Sequence, residues 1–410
     1  MTPDLTPTAP SLARVSRGDL CSGCGACAGI FPSKVKMAVV EPGYLRPMQT
    51  APLAEEEDAQ IARVCPGLGQ RVEAAGRSDP VLWGPYVAME TGWSSDPEIR
   101  FAGSSGGGLS ALLVHLLATG VVDAVVQTTA SPDMVIGNAT VITQDAAAIV
   151  AAAGSRYAPS APLERLGEMV RSGRKLAFVG KPCDAAALRA LCIEDSAVAA
   201  TFPVILSFFC AGVPSHAGGR AVLAALDTNL EATESFRFRG NGWPGRATAR
   251  LKDGSERSMS YHDSWGGILS KHAQFRCKIC ADGTGTAADI VCADAWESDE
   301  KGYLRFDESP GVSLIVARTA LGAGLVAAAR AAGAIKTRPF DVTHLAAIQP
   351  GQRERRRALA ARLLALRLVG KPVPQYAGLQ IVAAARQNTL RRNLRNFLGM
   401  LRRSLWQKKT

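Results

Sequence analysis

Apolar and polar positions along the middle of this chain switch repeatedly between a period near two and a period near 3.6, and the switches mark out elements. Residues 87–93 read as a strand. Ser104-Ser105-Gly106-Gly107-Gly108 is a turn of small residues, and 109–117 follows as an apolar helix. Residues 121–128, apolar apart from Asp123 and the polar end Gln127-Thr128, read as a buried strand. Helices are predicted at 145–153 and 163–171, a short strand at 175–180, a helix at 185–191 and a strand at 204–210. Residues 214–226 read as a helix opened by proline. From 235 to 262 the pattern becomes polar and alternating around Asp253-Gly254, which predicts an antiparallel hairpin. A strand at 312–318 leads into an Ala-rich helix. Strands alternating with helices predict an α/β fold with α+β elements, a mixed-sheet body spanning residues 80–340.

Outside that body the periodicity fades. Residues 18–73 predict little helix or strand, so metal ligation would supply much of their stability. Residues 1–17, rich in Pro and Thr, have no apolar signal core and read as a flexible leader. Residues 341–410 read as a basic helical tail. Within it Leu390, Leu394, Phe397, Leu398, Leu401 and Leu405 fall on one helical stripe. Arg391, Arg392, Arg395, Arg402 and Arg403 flank that stripe, and Trp406 lies near its end. Arg353, Arg355, Arg356 and Arg357 make a further basic cluster.

Charge sharpens this division. From Pro350 onward there are fifteen Lys or Arg against one acid, Glu354, so more than the whole net charge of +11 sits in the tail. Such asymmetry speaks of partners rather than of fold. The tail fits a helix docked with its arginines in water, or an interfacial helix on an anionic membrane or partner surface. Nucleic acid is the poorer reading, because no aromatics interleave with the basic residues. At 410 residues and 47% hydrophobic content, a large core and more than one domain are expected. No apolar run is long enough to span a bilayer. The cysteines, clustered at ligand spacings without a secretion signal, point to the cytoplasm, peripheral at the membrane if the tail is interfacial.

Those cysteines carry the chemistry. Cys21, Cys24 and Cys27 form C-x2-C-x2-C, and Cys65 follows within Cys65-Pro66-Gly67. Three evenly spaced thiolates closed by a distant Cys-Pro match a cubane 4Fe–4S site. Zinc usually takes two separated pairs or mixes cysteine with histidine. A second C-x2-C, Cys277 and Cys280, is ambiguous alone between metal, redox disulfide and coincidence. Cys183 and Cys210 follow predicted strands, and in a parallel sheet such strand ends meet at one edge. Four thiolates meeting there, or four inert buried cysteines, both agree with the spacing. Cys192 in a helix and Cys292 in a strand are assigned to packing.

Gly180-Lys181-Pro182-Cys183, Phe209-Cys210, Gly242-Trp243-Pro244-Gly245, Cys277-x-x-Cys280 and Ala293-Asp294-Ala295-Trp296 occur in that order. Together they resemble the coenzyme F420 hydrogenase/dehydrogenase β-subunit family. The resemblance implies FAD beside a 4Fe–4S cluster held by Cys183, Cys210, Cys277 and Cys280. The additional set, Cys21, Cys24, Cys27 and Cys65, is similar to that of the family's two-cluster members, such as 7-hydroxymethyl chlorophyll a reductase and the ferredoxin-dependent divinyl chlorophyllide 8-vinyl reductase. It gives the N-terminal segment a ferredoxin-like character. One departure is visible: Ala293 stands before Asp294 where the family often has glycine.

Residues compatible with a flavin can be named. Ser104, Ser105, Gly106 and Gly107 precede a helix whose N-terminus suits a phosphate, although helix-capping serines beside flexible glycines are the commoner explanation. Arg156 suits a pyrophosphate and Tyr157 a ring. Lys181 would be a fixed cation beside reduced flavin. Trp243, and less so Trp265, would line the pocket. His262 and His272 receive no catalytic role, and no Ser–His–Asp order points to a hydrolase. The expected function is a reductase taking electrons from a ferredoxin-like carrier at the N-terminal cluster, through the second cluster to FAD, and on to an organic substrate. The alternative is an electron-transfer β subunit of a larger hydrogenase/dehydrogenase complex using coenzyme F420.

Overall fold

The computed structural model describes residues 8–296 and 307–406, with only the backbone of Trp406. Its centre is an eight-stranded mixed sheet. From one edge to the other the strands are Ile335–Pro339, Ala88–Ser94, Ser313–Ala317, Ile290–Asp294, Val204–Phe208, Leu176–Gly180, Ala124–Ala130 and Asn138–Thr143. The run from Ile290–Asp294 to Ala124–Ala130 is parallel, and the flanking pairs are antiparallel. Leu176–Gly180 and Ser313–Ala317 are buried along their whole length, which is why they read as continuous apolar runs. Asn138–Thr143 and Ile335–Pro339 gave no strand signal. The first is half-buried without clean alternation, and the second is an exposed edge ending in proline.

Register sets the site. Gly180 lies opposite Ser207 in the parallel pair, so Lys181-Pro182-Cys183 and Phe209-Cys210 leave the sheet at the same edge. Pro182 then opens the helix Pro182–Glu194 at its first turn, where a missing N–H has no cost. The expected hairpin is a three-stranded antiparallel sheet, Thr233–Arg237, Arg246–Leu251 and Glu256–Ser260. Ala247, Ala249 and Leu251 point inward at every second residue.

The N-terminal segment is more regular than its composition predicts. The reading of residues 1–17 as a flexible leader is corrected from Pro10 onward; residues 1–7 lie outside the described residues. Pro10–Arg17 is a helix that buries Leu12 and Val15, and the Ser11 amide donates to Asp58 at 3.1 Å. The helices Ala26–Ile30 and Glu55–Val64 bracket the hairpin Val35–Val40/Tyr44–Gln49.

The tail is likewise not an appendage. The helix Pro350–Leu368 buries Leu359, Leu363 and Leu366 in one cluster with Val15, Leu20, Phe275, Ile279 and Met400. That cluster joins the N-terminal segment, the second cysteine pair and the C-terminal helix Leu390–Trp406. Gln375–Ala377 pairs in parallel with Gly69–Arg71. Arg356, a member of the basic cluster named above, is buried and donates to the carbonyls of Ala281 and Leu379. On the C-terminal helix Met400 and Ser404 face inward, while Leu390, Leu394, Leu398 and Leu405 stay exposed. Among the described residues no helix is long and apolar enough to cross a membrane.

Candidate functional site

Cys21 and Cys24 lie on the loop between Pro10–Arg17 and Ala26–Ile30, Cys27 lies within the second of these helices, and Cys65 caps Glu55–Val64. The loop turns at Gly25 with φ +83°, where a Cβ would meet the Glu164 amide at 2.8 Å. Glycine is required there by conformation and by space. At Gly67 a Cβ would stand 2.6 Å from the Leu20 carbonyl, so the Cys-Pro-Gly turn can close on the residue before Cys21. Cys21, Cys24 and Cys27 each lie within electrostatic reach of Cys65.

The second set is gathered from three places. Cys183 sits in the first turn of Pro182–Glu194, Cys210 follows Val204–Phe208, and Cys277 and Cys280 flank the end of the short helix Phe275–Lys278. Cys183 feels Cys210 and Cys280, and Cys210 feels Cys277 and Cys280. The Cys210 amide donates to Gly283 at 2.9 Å, and the Val213 amide to the Cys277 sulfur at 3.4 Å. These bonds fix the loops around the thiols.

Two buried charges stand between the sets. Arg276 donates from Nη2 to the Pro66 carbonyl at 2.8 Å, while its Nε has no hydrogen-bond partner. Burial opposes its charge, but Tyr376 and then the thiols of Cys280, Cys183 and Cys277 favour it, leaving it firmly cationic. On the other side the same cation acts on Cys65. Asp184 acts on both Cys24 and Cys183.

The chemistry of the donor set fits metal. All ten cysteines are free thiols. Burial, reinforced by neighbouring sulfurs, pushes Cys21 up to about 11 and Cys24 to about 12, and burial first does the same to Cys210, at about 12. Such thiols are poor nucleophiles, and they become thiolates when a metal replaces the proton. Among the described residues no three His, Cys, Asp or Glu side chains gather closely enough to chelate one ion. Tetrahedral zinc draws its sulfurs to about 2.3 Å from one centre. A cubane binds each thiolate at a different iron, and so suits sulfurs grouped but spread more widely.

Beside the second set lies a cleft of about 280 Å³ at the C-terminal edge of the parallel strands. This is where open α/β sheets place their ligands. Cys210 and Lys181 border it, and so do Ser104, Ser105, Gly107, Arg156 and Tyr157. The Ser104 hydroxyl pairs with that of Ser155 at 2.7 Å, and Ser105 donates to the Ala293 carbonyl at 3.0 Å. Arg156 donates to Asn138 Oδ1 at 2.6 Å and to the Gly137 carbonyl at 2.8 Å. Neither acceptor is a carboxylate, and burial alone pulls Arg156 down to about 10. It therefore faces the cleft as a desolvated cation, a condition an anionic ligand relieves.

Three residues named from the sequence lie outside the lining of the cleft. Trp243 does not border the cleft. It packs on Trp296 with centroids 4.8 Å apart and donates its indole N–H to Asp294 at 3.2 Å. Gly106 does not border it either, since a Cβ there would meet the Gly311 carbonyl and Ser313 amide at 2.9 Å. Lys181 borders the cleft as a cation held in place. Its ammonium lies 2.8 Å from Asp184 and donates to the Ser160 hydroxyl at 2.7 Å. Trp265 packs against Tyr157 at 4.7 Å, outside the lining. Cys292, assigned to packing, is buried in its strand and also borders the cleft.

Other lining residues had no assigned role in the sequence. Arg239 and Asp294 form a buried two-pronged pair at 2.9 and 2.6 Å, with the guanidinium 4.4 Å over the Tyr261 ring. Tyr261 stacks on Trp296 at 5.7 Å. The start of Pro350–Leu368 adds Gln349, donating to the Asp294 carbonyl at 2.7 Å, and Gln352, donating to the Cys210 carbonyl at 2.9 Å. Aromatic faces and cations around one cleft fit a large planar anionic cofactor. Asp294 stands inside the motif Ala293-Asp294-Ala295-Trp296 and Arg239 lies three residues before Gly242-Trp243-Pro244-Gly245, whereas nothing in the sequence marks Gln349 or Gln352.

Comparison with known proteins gives a consistent result. The profile "Coenzyme F420 hydrogenase/dehydrogenase, beta subunit N-term" matches residues 89–166, and its C-terminal counterpart matches 173–343. One subunit of the F(420)H(2) dehydrogenase of Methanosarcina mazei is 23% identical over 297 residues, which cover 70% of this chain and 81% of that protein. A chain from the structure of the F420-reducing [NiFe] hydrogenase complex of Methanosarcina barkeri shares the fold with TM-score 0.53 and 21% identity. That match covers 68% of this chain and 91% of the other. The N-terminal cysteine set and the helices beyond residue 343 lie outside the family profiles.

Proposed function

Because the chain belongs to the coenzyme F420 hydrogenase/dehydrogenase β-subunit family, an oxidoreductase family, we propose that it is an electron-transfer subunit that holds two 4Fe–4S clusters and FAD. The observation that carries this reading is the adjacency of three features. The N-terminal cysteines, the second cysteine set and the cleft follow one another, with Arg276 between the sets and Cys210 at the cleft. Clusters pass single electrons and a flavin pairs them, which is the chemistry these groups would supply when bound.

The residues have distinct parts in this arrangement. The two cysteine sets hold the one-electron centres. Arg276 offsets negative charge on both and keeps them at a fixed spacing. Arg156 receives the anionic portion of the cofactor, while Tyr157, Tyr261 and Trp296 provide aromatic faces. The Arg239–Asp294 pair orients the two last-named rings from behind. The family and the relatives named above favour a subunit of a hydrogenase- or dehydrogenase-like assembly over a self-contained reductase.

Native anaerobic isolation from the source cell tests this. The chain should run with a partner subunit, and a one-electron donor should bleach its flavin. A lone chain that reduces an organic substrate unaided would contradict the subunit reading.

A further inference from the structure

Next to the second cysteine set, and sharing Ala211 with the cleft, lies a groove of about 480 Å³. Its floor includes Cys277 and Lys278, and its walls are the helices Pro350–Leu368 and Leu390–Trp406. Arg355, Arg362, Arg392 and Arg395 line it. The one acid in the lining, Glu354, is already shared among Arg353 at 3.1 Å, Arg392 at 3.4 Å and Arg357 at 3.9 Å.

The cations are held in place rather than dispersed. Arg355 donates to the carbonyls of Cys210 and Ala211, and Arg362 to that of Lys278 at 2.8 Å. Neutral acceptors leave the charges uncancelled. Burial first, and then the neighbouring Arg403 and Arg355, bring Arg362 down to about 10. Folding has thus gathered like charges against their own repulsion, above a residue of the second cysteine set.

We propose that this groove docks a small acidic one-electron carrier protein, which exchanges electrons directly with the centre that Cys277 helps to hold. The proposal rests on the redox reading above. Charge complementarity selects an acidic partner and speeds its encounter. A protein is favoured over a small anion because Leu398, 51% exposed, follows the groove-lining Arg395 by one helical turn. A cationic surface with apolar points suits a transient protein contact. In each encounter the carrier is oxidised by one electron and the centre is reduced by one, with no bond made or broken. Ala211 borders both groove and cleft, so this entry would bypass the N-terminal set.

The test uses the full-length holoprotein and a reduced acidic plant-type ferredoxin as probe, followed by stopped-flow bleaching. Iron and flavin are measured first in each variant. Absence of cofactors from the wild-type protein would sink the redox reading itself, before any kinetics. With cofactors in place, Arg395→Glu and Lys278→Glu should each lower the second-order rate constant about tenfold, within the range electrostatic steering supplies. The wild-type rate should fall as salt rises. Cys24→Ser should still accept electrons from the carrier at its second centre, seen by electron paramagnetic resonance. Rates insensitive to both charge reversal and salt would overturn the proposal. So would loss of carrier-driven reduction in Cys24→Ser, or a groove that binds phosphatidylserine vesicles through Arg395 while ignoring the ferredoxin.

Discussion

The Arg276 guanidinium reaches the Pro66 carbonyl at 2.8 Å, and so ties the residue beside Cys277 to the residue beside Cys65. One fixed cation therefore serves both cysteine sets. Arg276→Leu removes it and leaves a buried carbonyl without its donor, at a cost of about 1–3 kcal/mol. Removing positive charge makes reduction harder, so both centres should move to more negative potential. The shift should be on the order of tens of millivolts, about 59 mV being tenfold for one electron. A redox titration followed by electron paramagnetic resonance reads both. Movement of one centre alone would show that the cation is not shared.

The Arg239–Asp294 pair predicts a stability effect. Arg239 is 2% exposed, so Asp294→Asn strands a buried charge and should cost about 3–5 kcal/mol in denaturant unfolding. Replacing both, as Arg239→Met with Asp294→Leu, should recover much of that loss, because neither charge then needs a partner. Equal losses in the single and double variants would place the effect in the cleft packing instead.

Arg156 predicts a binding effect. Its desolvated charge has no carboxylate partner, so Arg156→Met should leave folding nearly intact and weaken flavin retention. A charge-assisted hydrogen bond of about 1.5–3 kcal/mol corresponds to a loss on the order of ten- to a hundredfold. Flavin released on dilution measures this, and unchanged retention would remove Arg156 from the cofactor's contacts.

How much of this was legible depended on whether a residue's role was local. The C-x2-C-x2-C loop displays its ligands in sequence because one loop carries them. The strand before Lys181 was readable because it is buried on both faces, and Pro182 announced the helix after it. Arg276, Gln349 and Gln352 act across the fold, on partners 210, 55 and 142 positions away, so no local pattern marks them. The tail misled for a related reason. Its arginines look like surface charge, yet Arg355, Arg356 and Arg362 spend their donors on carbonyls of the body.

That integration makes the C-terminal helix a structural element. Met400 is fully buried and Leu390 is 88% exposed. Met400→Ala should cost about 2–5 kcal/mol, and Leu390→Ala no more than about 0.5 kcal/mol. Ending the chain near Gln375 should expose the core around Leu359 and Leu363, and cost solubility. A shortened protein that unfolds at the wild-type denaturant concentration would return the helix to the status of an appendage.

The central claim is that two cysteine sets hold two cubane clusters beside a flavin cleft. Its most direct test is the iron, acid-labile sulfide and flavin content of the protein purified without oxygen. The account predicts about eight iron and eight sulfide per chain with one FAD, falling to about four of each in Cys24→Ser and in Cys277→Ser. Stoichiometric zinc with no labile sulfide would contradict it.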